Sequence, residues 1–524
     1  MASTVIGILK RTASLAGATL ASRMLGFLRE ILMAQMLGGG AIASAWSFAF
    51  KIPNLFRRVF GEGLLGPVLV PLITHSIEKN GRETARNQFS TIFMWMTLIL
   101  CVCSTAVSGI ALIFLQIVEQ EHLVLACQLI PLLMPYCIFI CLIGMTTSAL
   151  NSLRVFFLPA LLSLLLNLCM IGSLLWLCPL FTGKPFRMLA ALAYAVLLSG
   201  ILELILILIL LKVHHFQLSV TWRNFIRAGI LKEVWRLMLP GLLGAVSYQL
   251  TVMADGVIAA WISPYAVSAL TYSERLIYLP IGVFAMAFGT VSLTEMSVMA
   301  QKKDYSALVR TQFAAMRYLL FLTIPLMSFM ALFHRDLIRL FYFRGAFDYR
   351  SLQATAHALL FYTVGIPAFA AMKITLTGFY SRKEMKTPML VGVGCSILDL
   401  ILNLLLMHPL QQGGLALSTA ICSYLNNIIL LAILNRQIGG VPMKSIALHF
   451  LQLFAVSLPG LFPALKVYHL LQDLTHASAG FELIPAMAGA GICYLALYLL
   501  FAVLLDMDEV KTLTRQFTRK RKGA

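Results

Sequence analysis

The run FSTIFMWMTLILCVCSTAVSGIALIFLQIV, residues 89–118, contains no charged side chain. A helix that crosses the hydrocarbon core of a bilayer needs about 20 mostly apolar residues, and this run exceeds that length. It also lacks the strict apolar and polar alternation that is typical of a membrane β-strand. The run therefore predicts a transmembrane α-helix.

The rest of the chain has the same apolar character. Of its 524 residues, 60% are hydrophobic and 12% are charged, and the mean hydropathy is +0.89. This composition excludes a soluble globular protein and predicts an all-α integral membrane protein with about fourteen transmembrane helices. The predicted helices lie near 11–37, 41–74, 88–115, 123–150, 157–180, 186–211, 233–260, 264–298, 312–333, 352–378, 386–407, 413–434, 444–470 and 482–505.

Lysine and arginine are unequally distributed between the predicted loops. With the N-terminus inside, 26 of them fall on the inner face and seven on the outer face. Because cytoplasmic loops of membrane proteins are enriched in these residues, both termini are predicted to be cytoplasmic. The net charge of +19 then follows from topology and from contact with anionic membrane lipids, and it requires no nucleic-acid partner.

Two polar segments recur along the chain. EKNGRETARNQF (78–89) resembles QKKDYSALVRTQF (301–313) at an offset of 224 residues, and NSLRVFFLP (151–159) resembles YSRKEMKTP (380–388) at an offset of 229 residues. Each segment leads into a predicted helix, so we expect two similar six-helix halves in parallel orientation. Repeats of this kind commonly meet around a substrate path near the membrane midplane.

The repeat divides the chain into three predicted regions. Residues 1–220 form an N-terminal lobe of helices one to six, and residues 221–440 form a C-terminal lobe of helices seven to twelve. Residues 441–524 contain helices thirteen and fourteen and a basic cytoplasmic tail. Anionic lipid at the inner leaflet is the simplest ligand for that tail.

Arginine occurs within segments that otherwise resemble membrane helices, as in SRMLGFLRE (22–30) and KIPNLFRR (51–58). Each arginine at the centre of a lipid-facing helix costs about 2.5–3.5 kcal/mol, so four would cost about 10–14 kcal/mol. We therefore expect these side chains to face a hydrated cavity, to pair with acids or to extend to the interface. The four are Arg23, Arg29, Arg57 and Arg275.

The acids nearby are too few to neutralise this charge. The first two predicted helices contain only Glu30 and Glu62, and Glu274 is adjacent to Arg275. The surplus predicts an anionic ligand. A guanidinium group binds phosphate oxygens with two parallel hydrogen bonds and stays charged at physiological pH, so a diphosphate suits it. Supporting contacts are expected from Lys51, Arg58 and Glu274.

The basic residues at 51–58 have a simpler interpretation as well. Lys51, Arg57 and Arg58 could flank the cytoplasmic end of the second helix without binding a ligand. Because Arg57 and Arg58 are adjacent, at most one of them points inward, and we favour Arg57. The angle between Arg23 and Arg29 on an ideal helix is about 120°, so they would contact different parts of a large headgroup unless the helix bends at Gly26.

Four segments resemble the MurJ/MviN family, the lipid II flippases of bacterial cell-wall synthesis. They are SRMLGFLRE (22–30), FAFKIPNLFRRVFGEG (48–63), SERLIYLPIGVFAMAFGT (273–290) and GFYSRKEMKTP (378–388). The resemblance extends over nearly the whole chain, including the helix count. It implies the multidrug/oligosaccharidyl-lipid/polysaccharide exporter architecture, with two six-helix lobes around a central cationic cavity.

The resemblance implies a transporter that is not an enzyme. Family members move lipid II, undecaprenyl-pyrophosphoryl disaccharide-pentapeptide, from the inner to the outer leaflet of the bacterial inner membrane, which supports peptidoglycan synthesis and cell shape. Helices thirteen and fourteen are expected to form a groove for the polyprenyl tail, and the cell-wall synthesis machinery is a candidate partner. The family's essential arginines correspond to Arg23, Arg29, Arg57 and Arg275.

One position departs from the family pattern. Many members have an aspartate seven residues before the lysine of KIPN, whereas this chain has Ser44. A role of that carboxylate in charge balance or gating does not transfer to this chain. Gly38, Gly39 and Gly40 lie nearby and are compatible with a gate or with an ordinary turn.

The chain contains no GxxxxGK[ST] phosphate loop, so ATP hydrolysis is not expected to drive transport. Coupling to Na⁺ or H⁺ would need oxygen ligands inside the second half, and their spacing here resembles the sodium site of some family members. No other cofactor is expected. Helix packing is the alternative role for these buried polar residues. The candidate Na⁺ ligands are Asp255, Asp399, Asn403 and Thr419.

Three rival functions remain. A membrane-embedded enzyme acting on the same lipid would need catalytic acids or a metal site in an outer loop, and the scattered acids there assign no roles. A drug exporter of the same architecture fits poorly, since cationic drugs are repelled by surplus arginine. An exporter of another polyprenyl-pyrophosphoryl oligosaccharide fits the predicted cavity equally well.

Overall fold

Every regular element in the described part of the chain is a helix. The computed structural model describes residues 22–155, 157–219 and 229–511. The all-α class predicted from the apolar runs is thereby confirmed. The predicted start of the first helix at residue 11 and most of the basic tail lie outside the described residues.

The chain divides into two compact units, Met1–Ala260 and Trp261–Ala524. In the first unit, π-helical turns extend the second helix through Arg57–Leu64 and the sixth through Ser173–Leu177, before a 3₁₀ turn at Cys178–Phe181. The predicted lobe boundaries at residues 220 and 440 follow from counting six predicted helices in each lobe, and they stay a prediction. The helices are α1 (22–37), α2 (Ala41–Phe56), α3 (Leu65–Asn80), α4 (Arg82–Phe114), α5 (Glu121–Ser152), α6 (Phe157–Gly172), α7 (Pro185–Val213) and α8 (Gly229–Ile262), which ends just past the boundary.

The second unit contains a short amphipathic helix where the sequence predicts an outer loop. This helix, α11, has the sequence HRDLIRLF, and it buries Leu337, Ile338 and Leu340 while its charged residues lie on the other side. The helices of the unit are α9 (Ala266–Gln301), α10 (Tyr305–Leu332), α11 (His334–Phe341), α12 (Tyr349–Val364), α13 (Ile366–Tyr380), α14 (Lys386–Ile438), α15 (Met443–Ser457), α16 (Leu461–Thr475) and α17 (Ile484–Leu504).

Eight segments of the described chain are long and apolar enough to cross a bilayer, and the bent pair α12–α13 is a ninth. The chain is thus a multi-pass membrane protein. The predicted total of fourteen stays a prediction, because α1 is described only in part and α14 joins two predicted helices. The eight segments are Arg82–Phe114, Glu121–Ser152, Leu164–Phe181, Pro185–Val213, Tyr305–Leu332, Lys386–Ile438, Met443–Thr475 and Gly480–Leu504.

Two breaks interrupt long helical stretches of the second unit. At Gly365 the axes of α12 and α13 differ by 44°, and an added Cβ there would lie 3.0 Å from the Cβ of Ala420 on α14. A glycine therefore permits the close approach of the bend to α14. Within α14, Gln411 leaves the helical region with φ of 48° and ψ of −132°, at the position where the sequence predicts a connection between two helices.

Two helix ends, one in each unit, have the same backbone geometry. Arg154 follows α5 with φ of 64°, and Lys383 follows α13 with φ of 61°. In both turns the next residue donates its N–H to the carbonyl five positions back, at 2.9 Å and 3.1 Å. Pro159 and Pro388 then occupy the third position of α6 and α14. Every matched pair is 229 residues apart, which supports the internal repeat.

Helix α5 lies at the centre of the first unit and packs against α2, α3, α4 and α7. Its Tyr136 is fully buried and stacks on Phe50 of α2, with ring centroids 6.3 Å apart. Gly200 of α7 faces the same tyrosine, because an added Cβ would lie 2.9 Å from Tyr136 Cδ2. This tight contact holds α7 against α5, and α5 packs in turn against α2 and its π-helical extension.

Candidate anion and cation sites

Arg29 and Glu30 form a buried ion pair at the end of the SRMLGFLRE segment. Arg29 is 8% exposed and Glu30 is 3% exposed, and Arg29 Nη2 donates to Glu30 Oε1 at 2.6 Å. Arg29 Nη1 also donates to Asn167 Oδ1 on α6 at 3.0 Å and lies 3.7 Å from Met170 Sδ. The guanidinium is therefore held between α1 and α6 by charge-assisted hydrogen bonds, and it is shielded from lipid.

Arg23 has a different environment on the same helix. Its side chain is partly exposed, whereas Arg29 is buried. The helical spacing predicts about 120° between the two side chains, and their different burial agrees with that separation. Arg29 is thus buried in contact with α6, while Arg23 is partly accessible.

The predicted second helix changes its hydrogen-bond pattern at Arg57. The π-helical segment Arg57–Leu64 has the sequence RRVFGEGL, and π-helical turns often occur at functional sites. Arg58 is exposed, while Arg57 and Lys51 are partly buried. The structure therefore directs Arg57 further into the unit than its neighbour.

Glu203 on α7 is a buried acid outside the predicted site. Its side chain is 2% exposed, and its Oε1 has no hydrogen-bond partner in the described part of the chain. The charge of Arg57 acts on the Glu203 carboxylate, and both groups act on the Tyr136 hydroxyl. Glu203 was visible in the sequence, because it is the sole acid of α7 and acids within membrane helices are functional candidates by default.

Gly38, Gly39 and Gly40 form the connection between α1 and α2, and Ser44 is the fourth residue of α2. Gly38 has φ of 73° and donates its N–H to Ala34 O at 3.0 Å, which ends α1 with a left-handed residue. Ser44 is 1% exposed and its N–H donates to Gly40 O at 3.0 Å. The position of the family aspartate is thus inside the packed first unit.

Arg275 and Glu274 lie in the first third of α9, in the second unit. Arg275 is exposed and Glu274 is partly buried. The preceding residue, Ser273, is fully buried and donates its hydroxyl to Thr355 O on α12 at 2.9 Å. Helix α9 therefore turns its serine toward the core of the unit and Arg275 toward the surface of the unit.

Asp399 and Asn403 belong to a buried polar cluster formed by the two halves of α14. Their side chains are 6% and 0% exposed. Beyond the kink, Ser418 donates to Asn403 Oδ1, and Ser418, Asn403 and Cys422 all lie against the Asp399 carboxylate. Asp399 Oδ1 still has no hydrogen-bond partner among the described residues. A buried carboxylate oxygen with neighbouring neutral oxygens suits a small hard cation.

The other two candidate cation ligands have different surroundings. Thr419 donates its hydroxyl to Leu415 O of its own helix at 2.9 Å, so Ser418 supplies the hydroxyl beside Asp399. Asp255 lies on α8 in the first unit and is partly buried. An added Cβ at the next residue, Gly256, would lie 4.0 Å from Lys51 Cδ, so this part of α8 packs beside the basic end of α2.

The chain resembles known proteins of one family over most of its length. The family described as lipid II flippase MurJ matches residues 33–484. A probable lipid II flippase MurJ of Rhizobium tropici is 31% identical over 530 residues, which cover 98% of each chain. The chain belongs to the lipid II flippase MurJ family. The family predicted from the sequence is thereby confirmed.

Solved structures with the MurJ fold and its relatives support the same architecture. The lipid II flippase MurJ in an inward closed conformation matches with a TM-score of 0.75 and 24% identity, covering 94% of this chain and 99% of that chain. An inward-facing multidrug resistance MATE family transporter of the MOP superfamily matches with a TM-score of 0.67 and 17% identity, covering 81% and 96%. These matches establish the fold, which MurJ proteins share with transporters of other cargo.

Proposed function

We propose that this protein moves lipid II from the inner to the outer leaflet of the bacterial cytoplasmic membrane. Membership of the lipid II flippase MurJ family supports the substrate, and the membrane-length helices support a transporter embedded in the bilayer. The observation that carries the proposal is the cationic group of the first unit. Arg29 and Arg57 lie in or next to apolar helices, where uncompensated arginine would be costly.

The pyrophosphate of lipid II is the group that these arginines would recognise. Arg23 and Arg57 are partly exposed, whereas Arg29 is buried and donates hydrogen bonds to Glu30 and Asn167. We therefore assign direct contact to the partly exposed arginines and electrostatic support to Arg29. Further anion-binding or supporting residues in this proposal are Arg275, Lys51, Arg58 and Glu274.

Transport is proposed to proceed by alternating access. The headgroup enters from the cytoplasmic side, its charge is neutralised by arginine, and the binding site then opens outward while the polyprenyl tail stays in lipid. In this scheme no bond of the substrate is made or broken. We therefore propose that the protein is a transporter and not an enzyme. We also propose that both termini lie in the cytoplasm. Enzymes of cell-wall synthesis are the proposed partners.

Cation binding in the second unit is the proposed energy input. Asp399 offers a buried carboxylate oxygen beside Asn403 and Ser418, and binding of Na⁺ or H⁺ there would favour one of the two access states. A cation can shift such an equilibrium only by its difference in affinity for the two states. Dependence of transport on a Na⁺ gradient or on a proton gradient distinguishes the two ions.

The proposal is tested by the leaflet accessibility of lipid II in spheroplasts depleted of the protein. Wild type is expected to restore outer-leaflet lipid II, whereas Arg23→Ala and Arg57→Ala are expected to fail at matched expression. Arg350→Ala is the matched control, because Arg350 is an exposed arginine in the first turn of α12. Arg29→Ala and Arg275→Ala complete the set.

Each result has a distinct meaning. An unchanged distribution of lipid II after depletion would refute the flippase proposal. In that case, the next candidate is an exporter of another polyprenyl-pyrophosphoryl oligosaccharide. The arginines would bind the pyrophosphate, which both lipids contain. Rescue by all four arginine variants would leave transport standing and refute the arginine mechanism.

A further inference from the structure

Glu203 has no role in the transport scheme above, although it is as deeply buried as Glu30 among the described acids of the first unit. Its side chain is 2% exposed, and Oε1 lacks a hydrogen-bond partner within the described ranges. Buried carboxylates with a purely structural role are normally fully hydrogen-bonded, because an unsatisfied charged oxygen is costly in an apolar interior. The incomplete bonding of Glu203 suits a group that changes its protonation state.

One backbone hydrogen bond, from Leu166 of α6, reaches the Glu203 carboxylate, but the neighbouring side chains do not fill the bonding position on Oε1. Ser199, one turn earlier on α7, donates its hydroxyl to Val196 O of its own helix at 2.7 Å. Gly200 brings the ring of Tyr136 against α7, and Tyr136 is 1% exposed. The carboxylate is thus enclosed by packed side chains while one of its oxygens remains without a donor.

The elements packed against α7 are α2, α5, α6 and the Ser173–Phe181 turns. Of the titratable groups nearby, Tyr136 of α5, Cys169 of α6 and Arg57 of the π-helical segment interact with Glu203. Cys141 interacts with Arg57, Cys178 lies at the far end of α7 beside Met188 O, and Lys51 packs beside Gly256 of α8. Arg57 is therefore the cation whose charge acts on Glu203 among these groups.

Arg57 is also the arginine that we assign to the pyrophosphate. One guanidinium cannot fully compensate two anions in a low-dielectric interior, where charges interact more strongly than in water. A phosphate arriving at Arg57 would place a like charge near Glu203, and a nearby like charge disfavours the ionised form of a carboxyl. Protonation of Glu203 removes that repulsion and releases Arg57 to the ligand.

We propose that Glu203 takes up a proton from solvent, converting its carboxylate to the carboxylic acid, when the pyrophosphate of lipid II binds at Arg57. This inference rests on the proposed function and adds a proton-binding site in the first unit to it. By thermodynamic reciprocity, protonation of Glu203 must then strengthen binding of the anionic headgroup by the same factor. Loss of that proton would assist release of the headgroup.

The test is calorimetric titration of the full-length protein in nanodiscs with lipid II, in two buffers of the same pH and different ionisation enthalpy. Wild type is expected to take up a fraction of a proton, at most about one, per lipid II bound. Glu203→Gln is expected to show no uptake and an affinity that no longer varies with pH. Glu203→Asp, which keeps a carboxyl group, is expected to retain uptake. Glu119→Gln is the matched control, because Glu119 is an exposed acid in the same unit.

The outcomes separate this inference from the proposed function. Binding of lipid II to wild type without proton uptake, or uptake that persists in Glu203→Gln, overturns the inference and leaves the flippase standing. Absence of lipid II binding in every buffer overturns both. Thermal unfolding identifies a Glu203→Gln variant that fails to fold, and in that event Glu203→Met takes its place in the titration. Absence of proton uptake in wild type overturns the inference by itself.

Discussion

Glu30 and Glu203 of the first unit and Asp399 of the second unit are buried acids with different neighbours. In the first unit, acids and guanidinium groups occur together, as in the Arg29–Glu30 pair and in Glu203 under the influence of Arg57. In the second unit, the acid Asp399 is surrounded by neutral donors. An interior that contains several guanidinium groups suits an anion, whereas a carboxylate beside amide and hydroxyl oxygens suits a cation. Two halves with similar helix ends thus provide different chemistry.

Breaking the ion pair of the first unit is expected to have the largest effect. Arg29→Ala leaves the Glu30 carboxylate buried without its partner at 2.6 Å, and such changes destabilise proteins by about 3–5 kcal/mol. The free energy of unfolding in detergent, measured by denaturant titration, checks this value. Arg29→Met combined with Glu30→Gln should recover most of the stability, and equal destabilisation by the single and double variants would contradict the pairing.

Replacing Asp399 of the second unit is expected to abolish the stabilisation that a bound cation gives to the folded state. If Na⁺ occupies the Asp399 cluster, Na⁺ at 100 times its dissociation constant stabilises the folded state by about 2.7 kcal/mol. Asp399→Asn should then lose the shift in melting temperature that Na⁺ produces. Asp473→Asn is the control, since Asp473 is exposed. A wild-type protein with the same melting temperature in Na⁺ and in choline would refute a sodium site.

Packing can be compared through one glycine in each unit. At Gly200 of the first unit, an added Cβ would lie 2.9 Å from Tyr136 and 3.1 Å from Phe139, and overpacking of this kind costs about 1–3 kcal/mol. At Gly394 of α14, nothing lies within 4 Å of an added Cβ. Gly200→Ala should therefore lower the melting temperature, while Gly394→Ala should leave it unchanged or raise it. Equal effects would show that Tyr136 can move aside.

The smallest expected effect is a pH dependence of stability that arises from Glu509. This residue lies at the end of the second unit that the sequence places in the cytoplasm. Glu509, beyond α17, lies 2.8 Å from Arg317 Nε and 3.3 Å from His449 Nε2. Burial alone would raise the pKa of Glu509, but the adjacent His449 and Arg317 outweigh it and lower the pKa to about 2. Because the pKa is lower in the folded state, this stabilisation is present above about pH 4.5 and is lost as the pH falls toward about 2.

Thermal unfolding across that acid range provides the measurement. Glu509→Gln should lose less stability on acidification than wild type. Asp508→Asn is a suitable comparison, since the Asp508 side chain is 68% exposed at 3.2 Å from Arg317 and exposed ion pairs contribute little. An acid dependence that is the same in wild type and Glu509→Gln would assign the effect to other carboxyl groups.

Much of the fold was predictable because its signals are local. Runs such as 89–118 predict helices through length and apolarity alone, and α4 spans that run. The turn after α5 and the turn after α13 also follow from matching local sequence, since Arg154 and Lys383 share one backbone conformation. The break at Gln411 within α14 also lies where the sequence predicts a connection between two helices. The π-helical segment at Arg57 was not predictable, because it depends on packing against neighbouring helices.

The candidate sites show the same division between local and tertiary information. The sequence by itself determined the class of protein, its family and the surplus of membrane arginine, since composition and motifs are properties of the chain. Only the tertiary structure showed that Arg29 is bound by Asn167, that Ser418 and not Thr419 faces Asp399, and that Glu203 lies under the charge of Arg57. The physical reason is that pairing of buried polar groups depends on which helices are adjacent, and spacing along one helix cannot specify its neighbours.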